Sequence, residues 1–165
     1  MGLQLPGGSF VNPDTELRSA LTAEATRQVI KLAKSKDSAV SLGAMVSEKT
    51  LVNAIVGLLA TGGSTNHTLH LVAIARAAGI IINWSDFAEL SATVPLLARV
   101  YPNGTADVNH FHQAGGLGFI IRELLDAGIL HNDVHTIVGP GLRRFSQNPL
   151  EASQGIRCCL LYTSP

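Results

Sequence analysis

The chain has 165 residues, of which 46% are apolar and 15% are charged, and its 12 basic side chains balance its 12 acidic ones. This composition excludes wholesale disorder, and the length suits about one domain. The balanced charge provides no basic surface for a phosphate backbone or anionic lipid, and no apolar run is long enough to span a bilayer. We therefore expect no nucleic-acid partner and no membrane partner.

The two cysteines and the two ends of the sequence set further limits. Cys158 and Cys159 are adjacent, which makes no disulfide framework and indicates a reducing, cytoplasmic compartment. Residues 1–8 lack the basic start, apolar centre and cleavage site of a secretory signal. We expect an irregular tail over 151–165, either a frayed terminus or short linker, or a tail that is non-native from about 157–159 onward. The second interpretation is favoured, because 159–165 fits one reading frame of a sequencing-library transposon end. The chain is then a fragment of a longer protein.

Helical periodicity dominates the first half of the chain. After an irregular segment, apolar residues at helical spacing predict a helix over 13–36. Ser47 predicts the start of a second helix, which ends at a glycine pair, and Ser64 predicts the N-cap of a third, which ends at Gly79. A short strand is expected over 80–82.

Shorter elements follow in the second half. The predicted elements are a helix within 83–91 capped by Ser85, an extended segment over 95–100, a turn over 101–104, helices over 106–114 and 117–127, and a strand over 136–138. About six helices and two or three short strands predict a helix-rich piece of an α/β domain.

The densest group of potential ligand-binding residues is ATGGSTNH, over 60–67. The free N–H groups and the dipole at a helix start favour a carboxylate or phosphate, and glycines let a ligand approach the backbone. Ser64, Thr65 and Asn66 add side-chain donors. The same pattern fits a corner between two helices, with a left-handed glycine and Ser64 as N-cap, so both interpretations stay open. No lysine follows as in a Walker loop. The second glycine pair, 115–116, likewise fits a helix terminus or a ligand contact.

All six histidines lie between positions 67 and 135. His67 and His70 are three residues apart, a spacing that fits one helical face and a pair of zinc ligands. However, the sequence contains no HExxH motif, and His110 and His112 point to different sides of a helix. Such histidines are more often half-buried hydrogen-bonding groups or acid–base groups in a cleft, so we assign no metal ligand.

Four segments together resemble the dihydroxy-acid and 6-phosphogluconate dehydratase family. They are LPGGSFVNPDTELRSALT (5–22), LVNAIVGLLATGGSTNHTLHLVAIARAAGI (51–80), YPNGTADVNHFHQAGG (101–116) and RELLDAGILHNDVHTIVG (122–139). The resemblance extends in order to about residue 149, and SFVNPDT, GGSTNHT and YPNGTADVNHF are most similar to the phosphogluconate branch. It implies that residues 1–150 are an internal part of the family's N-terminal catalytic domain, with an α/β fold that is helix-rich and has few short strands.

The same resemblance implies a chemistry. Family members on this branch are hydro-lyases of the Entner–Doudoroff pathway, which convert 6-phospho-D-gluconate to 2-dehydro-3-deoxy-6-phospho-D-gluconate with a [4Fe–4S] cluster as Lewis acid. The implied cofactors are that cluster and a divalent cation, with ligands outside this segment. We therefore assign no catalytic residue or metal ligand here, and expect the isolated fragment to be inactive. The implied partner is a phosphorylated sugar acid, and we expect a homo-oligomer at full length.

The resemblance also favours one of the two interpretations of the glycine pair. It implies that Gly63, Ser64, Thr65 and Asn66 line the substrate cleft, with His67 as a further candidate. Two alternatives remain for the function. One is a dehydratase of a dihydroxy acid or an unphosphorylated sugar acid, and the other is a non-catalytic helical interaction module.

Overall fold

Seven α-helices occupy half of residues 1–146, the part of the chain that the computed structural model describes. They are α1 (Glu16–Ala33), α2 (Leu42–Met45), α3 (Glu48–Ala60), α4 (Thr65–Ala77), α5 (Trp84–Ser91), α6 (Val108–Gln113) and α7 (Gly116–Asp126). The other described elements are two 3-10 helices, Ser38–Val40 and Leu142–Phe145, and two antiparallel strands, β1 (His135–Thr136) and β2 (Gly139–Pro140). This confirms the helix-rich fold with few short strands. The predicted tail over 151–165 lies outside the described residues.

Helix α3 is the centre of the described structure because it is buried on more than one side. Eight of its thirteen residues are buried. One side packs against α7, where the spacing of Ile120 and Leu124 places both side chains on one face, and α7 in turn contacts the 3-10 helix Leu142–Phe145. The buried residues of this main core are Val56, Ala60, Val94, Ala98, Phe111, Ile120, Leu124, Leu125, Leu130, Val134, Leu142 and Phe145.

A second, smaller core covers the other side of α3. Ile55 and Leu58 contact Leu71 of α4 and Phe87 of α5 there. Since α3 and α4 share this contact, the link between them forms a tight corner whose position is fixed by packing on both sides. That corner contains the first glycine pair.

Helix α1 differs from α3 because none of its residues is buried. It begins later than predicted, since Asp14 has a positive φ of 60° and the hydroxyl of Thr15 accepts the N–H of Arg18 at 3.2 Å as the N-cap. Its ties to the rest of the fold include the Arg18 guanidinium, which donates to the carbonyl of Val11 at 3.1 Å, and the side chain of Gln28, which donates to the carbonyl of Ile137.

The predicted strand over 80–82 is wrong. Gly79 turns the chain with a φ of 76°, and the N–H of Ile80 donates to the carbonyl of Ala75 at 2.8 Å, which closes the end of α4. Helix α5 then begins at once, so three apolar residues have neither the length nor a neighbour to form a sheet. The predicted cap of α5 is also wrong: the N-cap is Asn83, not Ser85, and the Asn83 N–H donates to the carboxylate of Asp86 at 2.7 Å.

The strand predicted over 136–138 is the start of a hairpin. Of the three predicted residues, Thr136 alone lies in β1, where it pairs with Gly139, and residues 137–138 form the turn between the strands. The Thr136 hydroxyl donates to the Gly139 carbonyl at 2.6 Å and accepts the Val138 N–H at 3.3 Å. Because the Val138 N–H is bonded within the turn, Val138 does not continue the strand. The predicted caps of α3 and α4, Ser47 and Ser64, are both confirmed.

Candidate functional site

The corner between α3 and α4 ends one helix and starts the next within four residues. Gly62 takes the left-handed conformation, with a φ of 59°, and the Gly63 N–H donates to the carbonyl of Leu58 at 2.9 Å. Ser64 is extended, and its hydroxyl oxygen accepts the N–H of His67 at 3.3 Å. The geometry confirms the interpretation of this motif as a helix–helix corner.

The two glycines of the pair differ in what a larger residue would meet. A Cβ on Gly62 would overlap the side-chain amide of Asn103, in addition to the strain of its positive φ. Gly63 has an ordinary φ, but a Cβ there would overlap the side chain of Leu58. The first glycine is therefore needed for the turn, whereas a larger residue at the second position requires the Leu58 side chain to move.

The turn over 101–104 packs against this corner. Asn103 donates its amide N–H to the carbonyl of Gly62 at 2.7 Å, across 41 positions of sequence. Just before the turn, the N–H groups of Leu97 and Ala98 both donate to the carbonyl of Ala60, at 2.8 and 3.1 Å. Two motifs that carry the family resemblance, GGSTN and YPNG, thus meet in space. The sequence analysis missed Asn103, whose only signal was its place in the second motif.

The five predicted site residues, Gly63, Ser64, Thr65, Asn66 and His67, lie together at the exposed start of α4. The backbone N–H groups of Thr65 and Asn66 are in the first turn of α4, where no helical carbonyl lies four residues earlier to accept them. They therefore face outward. The Thr65 hydroxyl and the Asn66 amide add donors beside them. Together with the positive end of the helix dipole, this arrangement is chemically suited to an anion such as a carboxylate or phosphate.

His67 completes the first turn of α4. Partial burial is the main cause that lowers the pKa of His67, and the neighbouring His70 lowers it further. The imidazole is consequently neutral at pH 7, a form in which one ring nitrogen donates a hydrogen bond and the other accepts one.

His110 has a structural role at the start of α6. The carboxylate of Asp107 accepts the N–H groups of Asn109 and His110, at 2.8 and 3.0 Å, while His110 Nδ1 accepts the N–H of Asp107 at 3.3 Å. The hydrogen bond from the His110 N–H, followed by that from Asn109, holds the pKa of Asp107 below its usual value. This reciprocal cap accounts for the spacing of Asp107 and His110 in the sequence.

The glycine pair 115–116 forms the junction between α6 and α7. Both glycines have positive φ, 106° at Gly115 and 53° at Gly116, and the Gly115 N–H donates to the carbonyl of His112 at 3.2 Å. This geometry agrees with a helix terminus, the first of the two interpretations of that pair.

Metal-binding side chains do not gather within the described part of the chain. Over residues 1–146, no three His, Cys, Asp or Glu side chains lie close enough together to hold a metal ion. Both cysteines of the sequence, Cys158 and Cys159, lie beyond that range. The residues described here therefore do not by themselves fit the iron–sulfur cluster or the divalent cation that the resemblance implies.

Comparison with known proteins decides the family. Residues 1–145 match the family model described as Dihydroxy-acid/6-phosphogluconate dehydratase N-terminal. The chain belongs to this dehydratase family. No helix of residues 1–146 combines the length and apolar character needed to cross a membrane.

Individual relatives within the dehydratase family differ in their similarity to the chain. It is 60% identical to the phosphogluconate dehydratases of Pseudomonas aeruginosa and Escherichia coli, over 149 residues and 90% of its length. It is 34% identical to the dihydroxy-acid dehydratase of Synechococcus, over 143 residues and 87% of its length. The chain spans about a quarter of the length of these relatives, 24% for the first and 25% for the other two.

Proposed function

We propose that the chain is part of a phosphogluconate dehydratase, a hydro-lyase that converts 6-phospho-D-gluconate to 2-dehydro-3-deoxy-6-phospho-D-gluconate in the Entner–Doudoroff pathway. The observation that carries this proposal is the 60% identity to relatives with that name, against 34% to a dihydroxy-acid dehydratase. The difference favours the phosphorylated sugar acid as substrate over an unphosphorylated acid. A cytoplasmic location and a homo-oligomeric assembly belong to the same proposal.

The role proposed for this segment is binding of an anionic group of the substrate at the start of α4. Outward N–H groups, the Thr65 hydroxyl and the Asn66 amide support it, because they lie together in the first turn of one exposed helix end. Neutral His67 adds a hydrogen-bonding group beside them. The carboxylate and the phosphate of the sugar acid are both suitable ligands. Since residues 1–146 do not fit a [4Fe–4S] cluster or a cation, the proposal places their ligands elsewhere in the longer protein, and the segment alone is expected to be inactive.

A chimera tests the proposed reaction. The matched segment of the Pseudomonas aeruginosa enzyme is replaced by residues 1–145 of this chain, and kcat/KM is measured for 6-phosphogluconate, gluconate and 2,3-dihydroxyisovalerate. The corresponding segment of the Synechococcus dihydroxy-acid dehydratase, placed in the same host, is the control.

We expect the chimera with this chain to retain kcat/KM for 6-phosphogluconate within about tenfold of the host, which corresponds to a transition-state loss of about 1.4 kcal/mol or less. The chimera with the control segment should lose more of the host's kcat/KM for 6-phosphogluconate. A folded chimera that fails on 6-phosphogluconate, or that prefers either unphosphorylated acid, would contradict the proposal.

A further inference from the structure

An open cavity of about 420 Å³ lies away from the start of α4, between the N-terminal segment and the β1–β2 hairpin. Its lining residues are Pro6, Val138, Arg143 and Arg144. Two adjacent arginines thus face one cavity in a chain whose net charge is zero. The role proposed above for α4 leaves both of them without a function.

Arg144 is held in place by uncharged groups. Its Nε donates to the carbonyl of Pro140 at 3.1 Å, and its Nη1 donates to the carbonyl of Val138 at 3.3 Å. The guanidinium lies over Gly139, where a Cβ would be 3.6 Å from Cζ. Within residues 1–146 no carboxylate lies within ion-pair distance of it. These two bonds therefore fix its orientation and leave its other N–H donors open, and no carboxylate of residues 1–146 neutralises its charge.

Arg143 is the second cation of the cavity. Its Nη1 pairs with the carboxylate of Asp126 at 2.7 Å, and its own backbone N–H donates to the side chain of Asn132 at 2.9 Å. Both partners of the ion pair are about half exposed, so the attraction between them is weak and leaves Arg143 able to contact a further anion.

A tight turn forms the opposite wall. The N–H of Gly8 donates to the carbonyl of Leu5 at 3.1 Å, which leaves Pro6 and Gly7 at the centre of the turn. Gly7 has a φ of 72°, as the third position of a type II turn requires, and no atom lies within 4 Å of the place a Cβ would take. The open side of Gly7 lets a ligand approach the backbone next to Pro6.

We propose that this cavity binds a phosphate group. Arg144 offers a preorganised fork that no carboxylate in the described part of the chain competes for, and Arg143 supplies a second cation from the neighbouring position. The terminal oxygens of a phosphate point in different directions and carry more negative charge than a carboxylate, so they can contact both guanidinium groups at once. The inference stands apart from the role of α4, because it concerns different residues and a different wall of the structure.

The test uses the 165-residue chain and inorganic phosphate. Amide and Arg Nε chemical shifts are followed by NMR during a titration, with the ionic strength held constant by chloride. We expect saturable shifts at Gly7, Gly139 and the Nε of Arg144. An identical titration with acetate should give a dissociation constant at least about threefold larger, because acetate carries less negative charge and fewer acceptor oxygens than inorganic phosphate.

Variants separate a site from general charge attraction. Arg144→Gln is expected to weaken phosphate binding about tenfold or more, and Arg144→Lys to weaken it by less, because lysine keeps the charge and loses the fork. Arg76→Gln on α4 removes the same charge from an exposed arginine outside the cavity and should leave the dissociation constant within about twofold. Thermal unfolding checks that each variant is folded. If Arg144→Gln does not fold, the dissociation constant of Arg144→Lys tests the proposal. Shifts that do not saturate, or equal losses in Arg144→Lys and Arg76→Gln, would overturn the proposal.

Discussion

Gly62 illustrates at the scale of one residue how the corner before α4 is held. Its φ of 59° and the overlap that a Cβ would make with Asn103 both oppose any larger side chain. Gly62→Ala should therefore lower the free energy of unfolding by about 1–2 kcal/mol, as measured by chemical denaturation.

Gly57 is the matched control for that substitution. It lies inside α3, and no atom is within 4 Å of the position of its Cβ. Gly57→Ala should raise the free energy of unfolding by roughly 0.5–1 kcal/mol, because alanine loses less backbone entropy in a helix. If both substitutions changed stability equally, the left-handed turn and the Asn103 contact would not be what requires glycine at position 62.

The charge state of His67 gives a second prediction for a single residue. Because partial burial lowers its pKa, an NMR titration of its ring protons should give a midpoint below the model-peptide value of 6.5. The unfolded chain then binds a proton more readily than the folded one. The stability associated with neutral His67 is fully present above pH 6.5, and is lost as the pH falls through the folded-state pKa.

The substitution His67→Gln removes this proton linkage. The free energy of unfolding of the variant should fall less steeply than that of the unmodified chain as the pH is lowered from 6.5. A His67 midpoint at or above 6.5, or an unchanged slope in His67→Gln, would contradict the assignment of a neutral, partly buried imidazole.

At the scale of elements, Asn53 ties the buried helix α3 to the segment that precedes the hairpin. Its side chain makes two hydrogen bonds of 2.8 Å with the backbone of His131, one from each amide atom. Asn53 is 5% exposed, so an apolar replacement leaves the His131 N–H and carbonyl without partners. We expect Asn53→Leu to lower the free energy of unfolding by about 2 kcal/mol.

The substitution His131→Ala is the control for Asn53→Leu. Since both bonds use only the backbone of His131, whose side chain is exposed, His131→Ala should change the free energy of unfolding by less than about 0.5 kcal/mol. Denaturant titrations of the two variants make the comparison. A large loss in His131→Ala would show that its side chain, rather than the backbone pairing, stabilises this junction.

The elements that the sequence predicted correctly are those set by local chemistry. Ser47 and Ser64 precede apolar periodic runs, and their side chains cap α3 and α4 as the pattern indicates. The strand predicted over 80–82 was wrong because a strand depends on more than local chemistry. Its apolar, β-branched character is local, but a strand needs a neighbour, and the end of α4 and the start of α5 leave no room for one.

At the scale of the whole molecule, the candidate site depends on contacts that are distant in sequence. The grouping of Gly63 to His67 follows from their adjacency, whereas the bond from Asn103 to Gly62 joins positions 41 apart and has no local signal. The same limit applies to Arg144, which meets the N-terminal turn only through the fold. Family membership could be predicted because several motifs occur in order over most of the chain, and the family match over residues 1–145 confirms it.

The central claim is that the start of α4 binds substrate, and Asn66→Ala in the chimera tests it most directly. Asn66 is exposed, and its side chain is not the cap of α4, so its loss should leave the fold intact. Asn109→Ala, in the first turn of α6, is the control. We predict that Asn66→Ala lowers kcat/KM for 6-phosphogluconate about tenfold or more, with kcat/KM of Asn109→Ala within about twofold of the unsubstituted chimera. An Asn66→Ala chimera with unchanged kcat/KM would contradict a substrate-binding role for this helix end.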